Sequence, residues 1–144
     1  MRFWDSSALV PLVVTQATSS VTDAWLAADP VLAVWTLTPI EISSAIQRLL
    51  RDGMIADGVA DEAEQRATDL VRACHIVIDV ETAKGQAQRL LRLHALRAAD
   101  ALQLAAALEW CGGRTSGRTL YTLDTRLAAA ARREGFIVPS ASSP

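Results

Sequence analysis

The feature that most limits what this chain can become is the order in which two hydrophobic periods follow one another. Short apolar or aromatic runs at Arg2-Phe3-Trp4, Val31 to Leu37, His75-Ile76-Val77-Ile78, Leu120-Tyr121-Thr122-Leu123 and Phe136-Ile137-Val138 read as strands. Between them the period becomes helical. Val21, Ala24, Trp25 and Ala28 fall at i, i+3, i+4 and i+7, and Ile42, Ala45, Ile46, Leu49 and Leu50 repeat that spacing after Pro39. Val59, Ala63, Ala67, Leu70 and Val71 do so again, opposite Asp61, Glu62 and Glu64, and further helices are expected over Ala83 to His94, Ala98 to Trp110 and Thr125 to Glu134. Strands alternating with helices pair in parallel through crossover connections, so the class is α/β. The 144 residues make one domain, expected over 1–139, with Ser140 to Pro144 as a flexible tail.

Composition narrows the function. With 51% hydrophobic and 21% charged residues the chain lies far from the disordered corner of sequence space. A net charge of −2, from 14 basic and 16 acidic residues, gives no bulk positive field of the kind that marks a nucleic-acid or membrane-surface binder. Committing four of those acids to a metal would leave 14 basic against 12 acidic, a weakly positive surface. Cys74 and Cys111 form no Cys-x-x-Cys pair, which points to a reduced, cytoplasmic setting. No membrane span is expected, since the run Leu9 to Val14 contains a proline, follows Asp5 and falls short of the roughly 20 apolar residues required.

Four acids stand at helix starts. Asp5 follows the first strand and Asp124 the fourth, Glu41 opens the helix after the second, and Asp100 opens an Ala/Leu-rich helix. Each has a structural explanation: Asp5 and Asp124 as N-caps, Thr38-Pro39-Ile40-Glu41 as a capping box, and Asp100 as a charge facing the positive end of its helix. Their combination points elsewhere. In a parallel sheet the strand C-termini and the helix starts that follow them share the edge where ligands bind, so chain direction alone sends Asp5 and Asp124 there. Glu41 lies one turn from Ala45 on its apolar stripe, and Asp100 shares a face with Leu104, Ala107 and Leu108. Carboxylates converging there would repel one another unless a cation neutralised them or a residue such as Arg97 paired with them. An all-oxygen donor set suits Mg²⁺ or Mn²⁺, and such a site performs metal-assisted phosphodiester hydrolysis.

Four segments carry a family likeness across essentially the whole chain: Phe3-Trp4-Asp5-Ser6-Ser7-Ala8-Leu9, Thr38-Pro39-Ile40-Glu41-Ile42-Ser43-Ser44-Ala45, Arg97-Ala98-Ala99-Asp100-Ala101-Leu102-Gln103-Leu104-Ala105 and Tyr121-Thr122-Leu123-Asp124-Thr125-Arg126-Leu127. In this order they resemble a PIN domain, and among PIN domains a VapC-type toxin ribonuclease. The resemblance implies a three-layer sandwich around a parallel sheet of order 3-2-1-4-5, with a Mg²⁺-dependent pocket of Asp5, Glu41, Asp100 and Asp124 supported by the hydroxyls of Ser7 and Thr122. It further implies an RNA substrate, a homodimer, and a small VapB-like antitoxin that inhibits the toxin. The helix of Val21 and Trp25 and the helix of Val59 to Val71 are the expected contact surfaces. Arg97, Arg114, Arg118 and Arg126 flank two of the acids and are candidate RNA-phosphate contacts.

Other signals are set aside. Gly112 to Thr119 reads like a phosphate-binding P-loop, but Arg118 replaces the lysine and the segment follows a helix instead of a strand. It does lengthen the connection into the fourth strand relative to a compact family member. Asp79 ends the third strand, which the expected order puts at the sheet's border, and reads as a helix cap. His75 and His94 have no partners at zinc-ligand spacing. Three rival readings are a PIN nuclease of RNA processing, a non-catalytic binding module on the same fold, and a phospho-aspartate receiver or phosphatase. The last needs a lysine near the phosphate, whereas the sole lysine, Lys84, lies early in a helix.

Overall fold

The structure is a computed structural model and describes residues 1–141; of the expected tail, 142–144 lie outside the described residues. The elements run β1 (Arg2–Trp4), α1 (Ser6–Val13), α2 (Ser19–Ala28), β2 (Leu32–Trp35), α3 (Thr38–Arg51), α4 (Asp57–Arg72), β3 (His75–Val77), α5 (Val80–Leu93), α6 (Ala98–Trp110), β4 (Leu120–Tyr121) and α7 (Thr125–Arg133). The sheet is parallel throughout, in the order β3-β2-β1-β4.

The two-residue period of the strands sorts the core into two layers. Phe3, Ala33, Trp35, Val77 and Leu120 face α5, α6 and α7. Trp4, Leu32, Val34 and Tyr121 face the other way, onto α1, α3 and α4, where Trp4, Tyr121 and the half-buried Trp25 of α2 form an aromatic group. The stripe of α4 is Ala60, Ala63, Ala67 and Val71, while Val59 is exposed, so its buried face sits slightly around the helix from the expected one. Helix α1 is not evident from periodicity: five of its eight residues are buried and none is exposed, which erases the amphipathic pattern, and Pro11 sits in its interior.

The fifth strand is reduced to one bridge. Ile137 exchanges backbone hydrogen bonds with the β4 side, donating to Arg118 and accepting from Leu120, both at 2.9 Å. The pairing stops because the Val138 carbonyl is taken by the Arg132 guanidinium at 3.0 Å and Pro139 has no N–H to offer. The order 3-2-1-4 otherwise stands, with β1 central, and every strand C-terminus points to the same edge. Asp79 stands at the border beyond β3 and caps α5 through Thr82, as expected. Among the described residues no helix is long and apolar enough to cross a membrane.

Candidate active site at the acidic edge

Asp5 leaves β1 and becomes the N-cap of α1, only 3% exposed. Its Oδ2 accepts from the backbone N–H of Ser7 at 3.2 Å, the Ser7 hydroxyl, and the Thr122 hydroxyl at 2.9 Å. Those two hydroxyls in turn accept from the turn after β4, Ser7 Oγ from the Leu123 N–H at 2.9 Å and Thr122 Oγ1 from the Asp124 N–H at 3.0 Å. A hydroxyl has one proton to give, so with both protons on Asp5 the 3.1 Å approach of Ser7 to Thr122 is a contact without a shared proton. β4 is short for the same reason: side-chain oxygens of the site take the backbone donors that would have extended it.

Glu41 lies in the first turn of α3, and the expected capping box is absent. The N-cap is Leu37, one residue earlier than the Thr38 assignment, which makes Glu41 the fourth helical residue and leaves its side chain free of its own helix end. Its carboxylate instead bridges three elements. Oε2 accepts from Ser6 at 3.0 Å, and Ser6 also lies 3.4 Å from Asp5 Oδ1. Oε1 accepts from the Gln103 amide of α6 at 3.0 Å, and that amide also donates to the buried Thr38 hydroxyl at 3.2 Å. Asp100 is the third helical residue of α6 and accepts from the Arg97 backbone at its N-cap. Asp124 caps α7, its Oδ1 accepting from the Leu127 N–H at 2.7 Å.

These carboxyls sense one another. Burial, and then the charge of Asp5, push Glu41 up to about 7; the hydrogen bonds from Ser6 and Gln103 only partly offset this, and Asp100 raises it further. Burial also raises Asp5 against the bonds from Ser7 and Thr122, with Asp100 adding to the rise. Asp100 is raised by burial and then by the charge of Asp124, with Arg97 and Arg126 pulling the other way. Among the described residues none of the four acids forms an ion pair within 4.0 Å. Nor, among the described residues, do three or more such groups crowd around one point closely enough to form a ready metal cage, so the convergence expected from the sequence is looser than a closed site.

The arginines divide. Arg97 and Arg126 line an open cavity of about 380 Å³ together with Asp100, Asp124 and Arg48. Arg114 and Arg118 do not ring it. Both belong to the connection that enters β4 from its N-terminal end, and Arg118 stacks over Trp110, so they occupy the edge opposite the acids. A sequence spacing of a few residues from Asp124 is misleading here, because the length of β4 intervenes. Three contributors escape sequence reading. Ser6 and Gln103 bond Glu41, and Arg48 lies two helical turns beyond Glu41 on α3. Gln103 leaves one trace, a polar residue inside an apolar helix face.

Two curated relatives from Mycobacterium tuberculosis are each 34% identical to this chain over 107 residues, covering 74% of it and 74% of their own length: ribonuclease VapC45 of strain CDC 1551 / Oshkosh and ribonuclease VapC49 of strain ATCC 25618 / H37Rv. The chain belongs to the VapC ribonuclease family. No protein-family model matches it. Solved structures share its fold. A chain of a toxin-antitoxin complex from Klebsiella pneumoniae superposes with a TM-score of 0.68 at 18% identity over 100% of both chains. Mycobacterium tuberculosis VapC20, a Sarcin-Ricin loop cleaving toxin, does so with a TM-score of 0.66 at 20% identity over 95% of this chain and 97% of that one. Membership in the VapC family disfavours the receiver and phosphatase reading, and Lys84 agrees: it pairs with Glu81 at 2.9 Å on exposed α5.

Proposed function

We propose that this VapC-family chain is a toxin endoribonuclease that hydrolyses RNA phosphodiester bonds with Mg²⁺ or Mn²⁺ at Asp5, Glu41, Asp100 and Asp124, and that a small antitoxin protein neutralises it. The relatives' designation as ribonucleases and the toxin-antitoxin setting of a structural neighbour support the reading. The observation that carries it is the placement of Asp5, Glu41, Asp100 and Asp124 at helix starts along one sheet edge with no ion pair within 4.0 Å among the described residues.

The donor set fits a hard divalent ion. It offers only oxygens, and Mg²⁺ commonly takes one or two protein carboxylates while keeping several waters, so no closed cage is required. Asp5, Glu41, Asp100 and Asp124 would hold the ion directly or through water. When bound, such an ion lowers the pKa of a water and offsets charge on the scissile phosphate. The chain's own residues do the rest. Ser7 and Thr122 lock Asp5 by its Oδ2, which leaves Oδ1 toward Ser6 and Glu41. Arg97 and Arg126, with Arg48 beside them, seat the phosphates that flank the cleaved bond. Asp100 takes the proton of the attacking water. The toxin acts as a homodimer in the cytoplasm, and α2 with Trp25 and α4 are the surfaces assigned to the antitoxin.

The test is RNA cleavage by the purified chain in Mg²⁺, in excess chelator, and after Asp5→Asn or Asp100→Asn. Activity in Mg²⁺ alone, lost in the other three conditions, is the expected result. Full activity in chelator or in either variant would refute the assignment.

A further inference from the structure

We propose that Gln103 is a positioning residue of the acidic edge: its amide, sealed inside α6, fixes the Glu41 carboxylate relative to Asp5 and Asp100. This rests on the reading of that edge as the metal-dependent nuclease site.

Gln103 is fully buried in the Ala/Leu-rich helix α6, among Ala101, Leu104, Ala105, Ala106 and Ala107. A leucine or methionine of similar size would fill that space without a polar group to satisfy. The amide's two N–H bonds go to Thr38 Oγ1 at 3.2 Å and Glu41 Oε1 at 3.0 Å. Its carbonyl oxygen has no hydrogen-bond partner among the described residues. A buried acceptor left unpaired is unfavourable for stability, so the fold gains little from glutamine at this position. The benefit appears at Glu41.

The geometry shows how. Asp100 and Gln103 are one turn apart on α6, so the helix that delivers one acid also delivers the donor that holds another. Thr38, itself fully buried, fixes the amide plane by accepting one N–H, and the other then points at Glu41 Oε1. Ser6 from α1 holds Oε2. Glu41 is thus gripped at both oxygens by neutral donors from two elements. Without the grip on Oε1, a carboxylate crowded by Asp5 and Asp100 swings toward solvent, because like charges repel and water solvates it better. Groups that orient a metal ligand in this way typically change metal affinity or activity 10- to 100-fold when removed.

The experiment uses the full chain with Gln103→Leu and Gln103→Met, each alone and Gln103→Leu also combined with Glu41→Gln. Three quantities are read: the melting temperature without metal, Mn²⁺ affinity by calorimetry or electron paramagnetic resonance, and kcat and KM for RNA at saturating metal. Both single variants are expected to melt at or above the wild-type temperature and to bind Mn²⁺ roughly 10- to 100-fold more weakly. They are also expected to lose about 10-fold in kcat with KM unchanged. In the Glu41→Gln background, Gln103→Leu should have no further effect. A lower melting temperature with wild-type Mn²⁺ affinity and kcat would make Gln103 structural and overturn the proposal. So would losses that persist undiminished in the Glu41→Gln background. If the wild-type chain neither binds Mn²⁺ nor cleaves RNA, the nuclease reading fails and this inference falls with it; if wild type does both and the Gln103 variants match it, this inference alone falls.

Discussion

Glu41 and Glu134 are both partly buried carboxylates gripped at both oxygens, and the protein treats their charges in opposite ways. Glu134, just past α7, accepts from Arg89 and from His94 Nε2, both at 2.7 Å. Burial works against its charge, but the hydrogen bonds and charges of Arg89 and His94 together hold its carboxyl below the ordinary value. Asp29 is likewise held low, by the N-terminal ammonium, the Val31 backbone and Arg2. At Glu41 the donors are a hydroxyl and an amide, which fix the position of the oxygens without neutralising them, so burial and the charge of Asp5 drive the group to about 7. Glu134 and Asp29 are paired with cations, whereas among the described residues none of the four acids at the strand C-termini forms an ion pair within 4.0 Å. One arrangement supports the fold; the other leaves room for a cation.

The comparison is broken most directly by Asp5→Asn, which keeps the hydrogen-bonding shape and removes the charge. RNA cleavage is expected to fall by at least about 100-fold, the upper end of what residues that merely support a metal ligand contribute. The melting temperature without metal should hold or rise. Steady-state cleavage and thermal melts check both.

The pH dependence of stability sharpens the contrast, because the two glutamates carry opposite signs. Glu41 has a folded pKa above its ordinary 4.5, so its contribution is complete below that value and is lost as pH rises through about 7. Metal-free protein should therefore lose stability between pH 5 and 8, by roughly 2 kcal/mol once screening at a partly exposed site is allowed for. Glu41→Gln should flatten that slope. Glu134 is held low, so its contribution is present above the ordinary 4.5 and is lost as pH falls below it. Melts across pH in chelator separate the two limbs.

Smaller effects are expected away from the acidic edge. Glu134→Gln leaves Arg89 and His94 without their carboxylate and should cost about 1–2 kcal/mol of stability, with cleavage unchanged. Asp79→Ala removes an exposed helix cap and should lower stability less than Glu134→Gln does, again with cleavage unchanged. Denaturant melts with parallel cleavage assays read both. A large loss of cleavage in Asp79→Ala would erase the distinction between an acid that caps and an acid of the site.

Much of the site was legible because chain direction is information. In a parallel sheet, Asp5 and Asp124 reach the C-terminal edge whatever the side-chain details, and the helical period places Asp100 on a buried face. Two things were not. Whether an acid caps its own helix depends on where the first turn begins, and a shift of one residue, to Leu37, freed Glu41 from the capping box its sequence spells. Nor does spacing reveal which distant side chains meet. Ser6 and Glu41 bond across 35 residues, and Gln103 and Glu41 across 62. The fifth strand is shorter than its sequence suggests for a related reason, since its hydrophobic pattern is present in buried Phe136 and Val138 while Pro139 and the Arg132 bond end the pairing.

The central claim is that these acids are left unpaired so as to take up one divalent ion. Calorimetric titration of the full chain with Mn²⁺ at pH 8 tests it without reference to any substrate. The account predicts saturable binding that weakens at least about 10-fold in Asp5→Asn and in Asp100→Asn and is unchanged in Asp79→Ala. Equal binding by wild type and Asp5→Asn, or no binding by wild type, would contradict it.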